Sequence, residues 1–191
     1  GAGRLDGKPG AWAVSGITHA APRPHAGQAA HGIVPGLSEL ADAPPGTRSQ
    51  PLPAMDEVAV LPAGHPLAQK TLLSERDFEG ESFISLARDD PYRAQIDAVF
   101  ARAGVQRRLS LETASAVAVC AMVQHGLGLA VVNPLTARAC AGPQLVVRPL
   151  AFSIAFQVHM LLPLHRPADA GLPWLTAALE QEALSLLGHR R

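Results

Sequence analysis

The spacing of apolar side chains changes along this chain, and each change marks an element. The run from Glu112 to Val132 shows it best. Thr113 or Ser115 can cap a helix start, small and branched apolar residues from Ala116 to Val123 fill its body, and Gly126 supplies a left-handed residue at its end. Leu129 to Val132 is then a short unbroken apolar run, the pattern of a strand buried on both faces. A transmembrane reading fails, because Gln124 and His125 interrupt the run, two glycines follow, and no basic flank anchors either end. The segment reads as a helix-then-strand unit of a parallel sheet.

The same alternation extends on both sides. Glu57 to Leu61 reads as a strand, stopped by Pro62, Gly64 and Pro66. Leu72 to Phe78 reads as a short helical turn, and Ser82 to Leu86 as the next strand. Asp90 fits the cap of a helix with Pro91 at its first position, running through Ile96, Val99 and Phe100 until Gly104. Leu109 to Leu111 is a strand, and Asn133-Pro134 caps another short helix, which Gly142 closes. Leu145 to Val147 and Ile154 to Leu162 are strands, and a long amphipathic helix runs from about Ala168 to Leu187. Helices between strands imply right-handed crossovers and a mainly parallel sheet. The fold class is α/β.

Before Pro53 the pattern is missing. Gly, Ala, Pro and His crowd residues 1–53, with no Phe or Tyr and no sustained period, so the stretch is expected to be poorly ordered. His19, His25 and His31 sit in this Pro- and Gly-rich setting and read as a solvated cluster rather than a metal site.

Composition narrows the classes. In 191 residues, 48% are hydrophobic and 17% charged, enough for one domain or two small lobes with a real core. Sixteen basic residues balance sixteen acidic ones, so the electrostatic footprint of a nucleic-acid-binding domain is absent from this sequence. Cys120 and Cys140 show neither metal spacing nor a pairing pattern, which points to a reducing compartment, and no secretion signal is legible.

Candidate chemistry follows from the strand ends. In open α/β sheets, ligands bind beyond the carboxyl ends of the strands. Ser85 closes one strand, Thr113 and Ser115 open a helix after another, and Asn133 follows a third. Free N–H groups and hydroxyls at such helix starts favour a carboxylate-bearing small molecule. For Thr113 and Ser115 the plainer reading is that they cap the helix and bind nothing, which is the commoner case for any single helix start. Catalytic signatures are lacking: there is no nucleophile elbow, phosphate loop or zinc motif, and Gly126-Leu127-Gly128 lacks the third glycine of a dinucleotide loop, so no cofactor is indicated. His125 near Cys120 reads as a helix-end histidine rather than the base of a thiol nucleophile.

Several motifs recur together in a familiar order. They are His65-Pro66-Leu67-Ala68, the Phe83-Ile84-Ser85-Leu86 strand with Asp90-Pro91-Tyr92-Arg93, Gly104 to Arg108, Glu112 to Val123, Gly126-Leu127-Gly128, Val132 to Thr136, and Pro163 to Pro167. From about Pro51 to Leu187 the chain resembles the effector-binding domain of LysR-type transcriptional regulators. Within that family it is most similar to the branch of the diaminopimelate decarboxylase regulator and the opine-responsive regulators.

The resemblance implies a type 2 periplasmic-binding-protein-like fold of two lobes with an effector in the cleft between them. Residues 61–147 would form the second lobe, with 54–60 and 148–191 as the remnant of the first. The family's cleft positions fall on Ser85 with Leu86, on Thr113 and Ser115, and on the Asn133-Pro134 turn. Effectors of this branch imply a carboxylate-bearing, amino-acid-like ligand such as diaminopimelate, lysine or an opine, with Asp89 or Asp90 receiving an ammonium. DNA contact would come through a helix-turn-helix that is not legible here; the family also implies a homo-oligomer in the cytoplasm, with no membrane role. Residues 1–53 depart from the family pattern, as a truncated or frame-shifted gene would produce, and the first lobe is expected to lack strands. A solute-binding protein of the periplasmic type is the alternative, and an enzyme a distant third.

Overall fold

A computed structural model describes residues 36–39, 42–164 and 171–188. The histidines at 19, 25 and 31 lie outside the described residues. In chain order the strands begin with β1 (Gly36–Ser38), β2 (Thr47–Pro51), β3 (Met55–Asp56), β4 (Val58–Pro62) and β5 (Ser82–Leu86). Tight 3-10 turns at Pro66–Gln69 and Glu75–Phe78 separate the last two. Then come α1 (Pro91–Arg102), β6 (Arg108–Thr113), α2 (Ala116–Gln124), β7 (Ala130–Val132), α3 (Pro134–Cys140) and β8 (Leu145–Arg148). The chain finishes with β9 (Ala155–Phe156), β10 (His159–Pro163) and α4 (Gly171–Gly188).

The largest sheet has the order β6-β5-β7-β4-β8. β5 and β6 run parallel from Ser82 opposite Arg108 to Leu86 opposite Thr113. β7 joins β5 through a parallel bridge between Phe83 and Leu129, with Ile84 N donating to Leu129 O and Leu129 N to Ser82 O, each at 2.8 Å. β4 lies antiparallel between β7 and β8, pairing Ala59 with Val131 and Val60 with Val147. Four strands therefore point the same way and β4 runs against them. Helices α1 and α2 supply the crossovers that parallel neighbours require.

Elsewhere the pairing departs from the parallel expectation. β1, β10 and β2 form an antiparallel sheet, with Leu37 opposite Met160 and Leu161 opposite Ser49. The ribbon β3–β9, also antiparallel, sets Met55 beside Phe156. Residues 47–51, which carry no apolar pattern in the sequence, form β2. Its sequence of Thr, Arg, Ser, Gln and Pro carries no apolar alternation because main-chain pairing to β10, not side-chain burial, fixes it. The apolar run from Ile154 to Leu162 is likewise two strands, not one. The chain changes sheets at Gln157, whose N–H approaches the Tyr92 hydroxyl and whose side-chain amide donates to Leu52 O. Leu73, expected in a helix, instead bridges Leu150, and the turn follows at Glu75, closed by a reciprocal Ser74–Asp77 capping box. The sheet containing β4 begins at Val58 rather than at Leu61.

The core sits between the five-stranded sheet and its helices. Phe78, Phe83 and Phe100 are fully buried and meet edge to face, with ring centroids 5.1 to 6.2 Å apart. Such geometry adds roughly 0.5–1.5 kcal/mol per pair beyond area burial. Arg107 lies over two of these rings, 4.5 Å from Phe83 and 4.1 Å from Phe100, and bonds Asp97 at 2.6 Å.

Candidate functional site

Strand register brings most of the expected site positions to one edge of the five-stranded sheet. Leu86 lies opposite Thr113, and the Phe83–Leu129 bridge sets β7 level with β5, so β5, β6 and β7 end together where α1, α2 and α3 begin. The three helix starts are built as their sequences dictate. Asp90 Oδ1 accepts from Tyr92 N at 2.8 Å and Arg93 N at 3.4 Å, with Pro91 fixing the first helical φ. Ser115 Oγ accepts from Ala118 N at 3.3 Å, and Thr113 Oγ1 accepts from Ser115 N at 3.4 Å. Asn133 Oδ1 accepts from Thr136 N at 2.8 Å, again before a proline, Pro134. Gly126, at φ +75°, takes the left-handed position after α2.

The candidates differ in what they can offer a ligand. Ser85 is 2% exposed and its Oγ has no hydrogen-bond partner. Thr113, Asn133 and Pro134 are half-buried, Ser115 is exposed, and Leu86 is buried. Asp89 is exposed and points to no partner among the described residues, whereas Asp90 is buried and spends Oδ1 on the helix cap.

Behind this edge lies an ionic network that sequence reasoning missed. Arg93 Nη1 donates to Leu86 O at 2.7 Å and to Glu112 Oε2 at 3.1 Å, while Nε donates to Asp97 Oδ2 at 2.6 Å. It ties the end of β5 to α1 and to β6. Burial alone would raise the Asp97 carboxyl, but Arg107 and Arg93 hold it below its ordinary value. The signal was present as Arg93 and Asp97, four apart on one helix, although nothing local announces Arg107 as their third member.

Glu57 was also missed as a site residue. It directly precedes β4 and is 1% exposed, and its Oε2 has no hydrogen-bond partner. Burial pushes its carboxyl well above the usual range, and Glu39, Asp90 and Asp56 push it further. Its signal was one acid leading an apolar strand in register with Ala59 and Leu61.

Two other features sit apart from the sheet edge. An open depression of about 360 Å³ is lined by Ala94, Gln95, Ala98 and Arg102 of α1 with Ser153 to Ala155, and by none of the candidates. The Cys120 thiol, buried between α2 and its neighbours, is pushed up to about 12 by burial and by the adjacent Cys140 thiol; both cysteines are free. Among the described residues no cluster of His, Cys, Asp or Glu can hold a metal ion, and no helix is long and apolar enough to cross a membrane.

The model of the LysR substrate binding domain matches residues 32–184. The chain belongs to the LysR family. Its first matched residue precedes β1, so β1 and β2 fall within the family's domain rather than outside it. The transcriptional activator protein LysR of Escherichia coli K12 is 46% identical over 156 residues, covering 76% of this chain and 50% of that protein. The regulatory protein NocR of Agrobacterium tumefaciens T37 is 31% identical over 144 residues, covering 75% and 48% respectively. The chain thus spans about half the length of these relatives. The CcmR regulatory domain of Synechocystis PCC6803, solved in complex with 2-PG, matches with a TM-score of 0.59 at 19% identity, over 78% of this chain and 72% of that one. The fold of this LysR-family chain is therefore the expected type 2 periplasmic-binding-protein-like one. Its relatives are regulators, which favours the substrate-binding domain of a transcription regulator over a stand-alone solute-binding protein or an enzyme.

Proposed function

We propose that this LysR-family domain senses a small amino-acid-like effector for a transcription regulator. One observation carries the reading. The buried Ser85 hydroxyl, unpartnered, lies on the strand whose end meets the starts of three helices at one sheet edge. A carboxylate suits the start of α2, where Thr113 and Ser115 add hydroxyls to free N–H groups. Leu86 and the Asn133-Pro134 turn would form the flanking walls, and Asp90 would set a negative field for an ammonium. Diaminopimelate, lysine and the opines combine both ends.

DNA contact is assigned to a helix-turn-helix of the full regulator, which we place in the cytoplasm as a homo-oligomer. We assign the domain no catalytic step. Thermal-shift measurements with diaminopimelate, lysine, arginine and opines test the reading. A ligand at a hundred times its Kd stabilises by about 2.7 kcal/mol, a shift easily measured in a domain of this size. Ser85→Ala and Thr113→Ala should each remove the shift, and variants that respond like the parent would place the site elsewhere.

A further inference from the structure

A carboxyl group seldom enters a protein interior without a partner, because one hydrogen bond does not offset the water it loses. Glu57 is 1% exposed, and its Oε2 has no hydrogen-bond partner. Ser85 Oγ is a second such oxygen. Strand alternation places both on the sheet face that carries Phe83, Val131 and Ala59, the face against which α1 packs through Phe100. Glu57 N donates to Ile154 O at 2.9 Å, so the acid stands where the chain enters the five-stranded sheet from the β3–β9 ribbon.

Negative charge reaches this point from both sides. Glu39 follows β1 of the antiparallel sheet, Asp56 ends β3, and Asp90 caps α1; all three act on Glu57. The Tyr92 hydroxyl, beside the main chain of Gln157, is pushed up to about 12 first by burial, so it adds no charge at neutral pH. Arg93, on the same helix, is committed to Asp97, Glu112 and Leu86 O. The surroundings repel an anion and attract a cation. A metal ion is disfavoured, since no metal-holding cluster exists among the described residues. An organic cation brings its own hydrogen-bond donors and needs no such cluster.

We propose that Glu57 is the counter-ion for a primary ammonium group of the effector, with Ser85 on the same sheet face. Asp90, already engaged by main-chain N–H groups, contributes field rather than contact. The proposal rests on the sensing reading above and names the end of the ligand that the domain selects. Burial raises the Glu57 carboxyl and an ammonium beside it would lower it, so pairing favours the loss of a proton. Affinity for a cationic effector then rises with pH until the free carboxyl itself ionises.

Calorimetric titration of the chain with lysine and diaminopimelate, and with pimelate as a control lacking any ammonium, tests this. Two buffers of different ionisation enthalpy report the proton. Lysine or diaminopimelate should bind with net release of protons, and pimelate at least about tenfold more weakly. Glu57→Gln should weaken the cationic ligand roughly thirtyfold, abolish proton release, and melt above the parent. A Gln variant that binds as tightly as the parent, or that melts below it, would overturn the assignment, the latter by showing a structural acid. Binding of pimelate that is lost in Ser85→Ala but kept in Glu57→Gln would overturn the ammonium contact and leave the sensing reading standing. No binding by any of the three would overturn both.

Discussion

A Cβ added to Gly128 would stand 2.7 Å from the main-chain oxygen of Ser82 and 3.1 Å from its carbonyl carbon. The closeness is what lets the next residue, Leu129, bond β5 on both sides, through Ser82 O and Ile84 N. Backbone, unlike a flexible side chain, has little room to give. Gly128→Ala should therefore cost about 2–3 kcal/mol in denaturant unfolding, while Gly142→Ala, where a Cβ meets open space, should stay within about 0.5 kcal/mol.

Arg107 should not tolerate lysine. Its planar guanidinium stacks on Phe83 and Phe100 while bonding Asp97, and an ammonium cannot do both. Arg107→Lys should lower stability by roughly 1–2 kcal/mol, read as a lower Tm with unchanged circular dichroism at low temperature.

Asp97 gives that network a pH signature. Its folded carboxyl lies below the ordinary value, so its contribution is complete above the unfolded value of about 4 and is lost as pH falls towards the folded one. The Tm gap between the parent and Asp97→Asn should be constant from pH 7 to about 5 and should narrow below about 4. A gap that widens in acid would contradict the ion pairing.

Glu57 predicts the opposite slope. With its folded carboxyl raised, the folded state holds a proton that the unfolded state gives up above about pH 4. Stability should fall as pH rises from there towards the folded value, and Glu57→Gln should flatten that fall. Melting curves across pH 4 to 8 check the sign.

Alkylation should separate the thiols. Cys120 is buried with its thiol pushed up to about 12, so iodoacetamide near pH 8 should label the half-buried Cys140 first and Cys120 only on unfolding. Mass spectrometry of the digested protein reads the order directly.

Local chemistry explains what was legible in the sequence. Asp90-Pro91, Ser115 and Asn133-Pro134 announced three helix starts because a cap is made by a side chain and the N–H groups two or three residues on. The buried strands were equally plain, since β7 is apolar throughout. What failed was information held across the chain. β2 is polar and owes its place to β10, more than a hundred residues away. Ile154 to Leu162 keeps its apolar character through the point where the chain changes sheets, so nothing nearby marks the break at Gln157. At the candidate site the sequence put Ser85, Thr113 and Asn133 at strand ends, but only register shows that those ends coincide. Glu57 stayed hidden because an acid before an apolar strand looks like a solvated flank until burial is known.

The β3–β9 ribbon has a mechanical meaning. The chain passes between its two sheets twice, and the two passages are bonded side by side, Met55 to Phe156 and Asp56 to Ala155. A bonded pair of strands resists sliding along its length, so the two passages join the sheets as one strap rather than as two separate threads. Glu57 stands where that strap enters the five-stranded sheet.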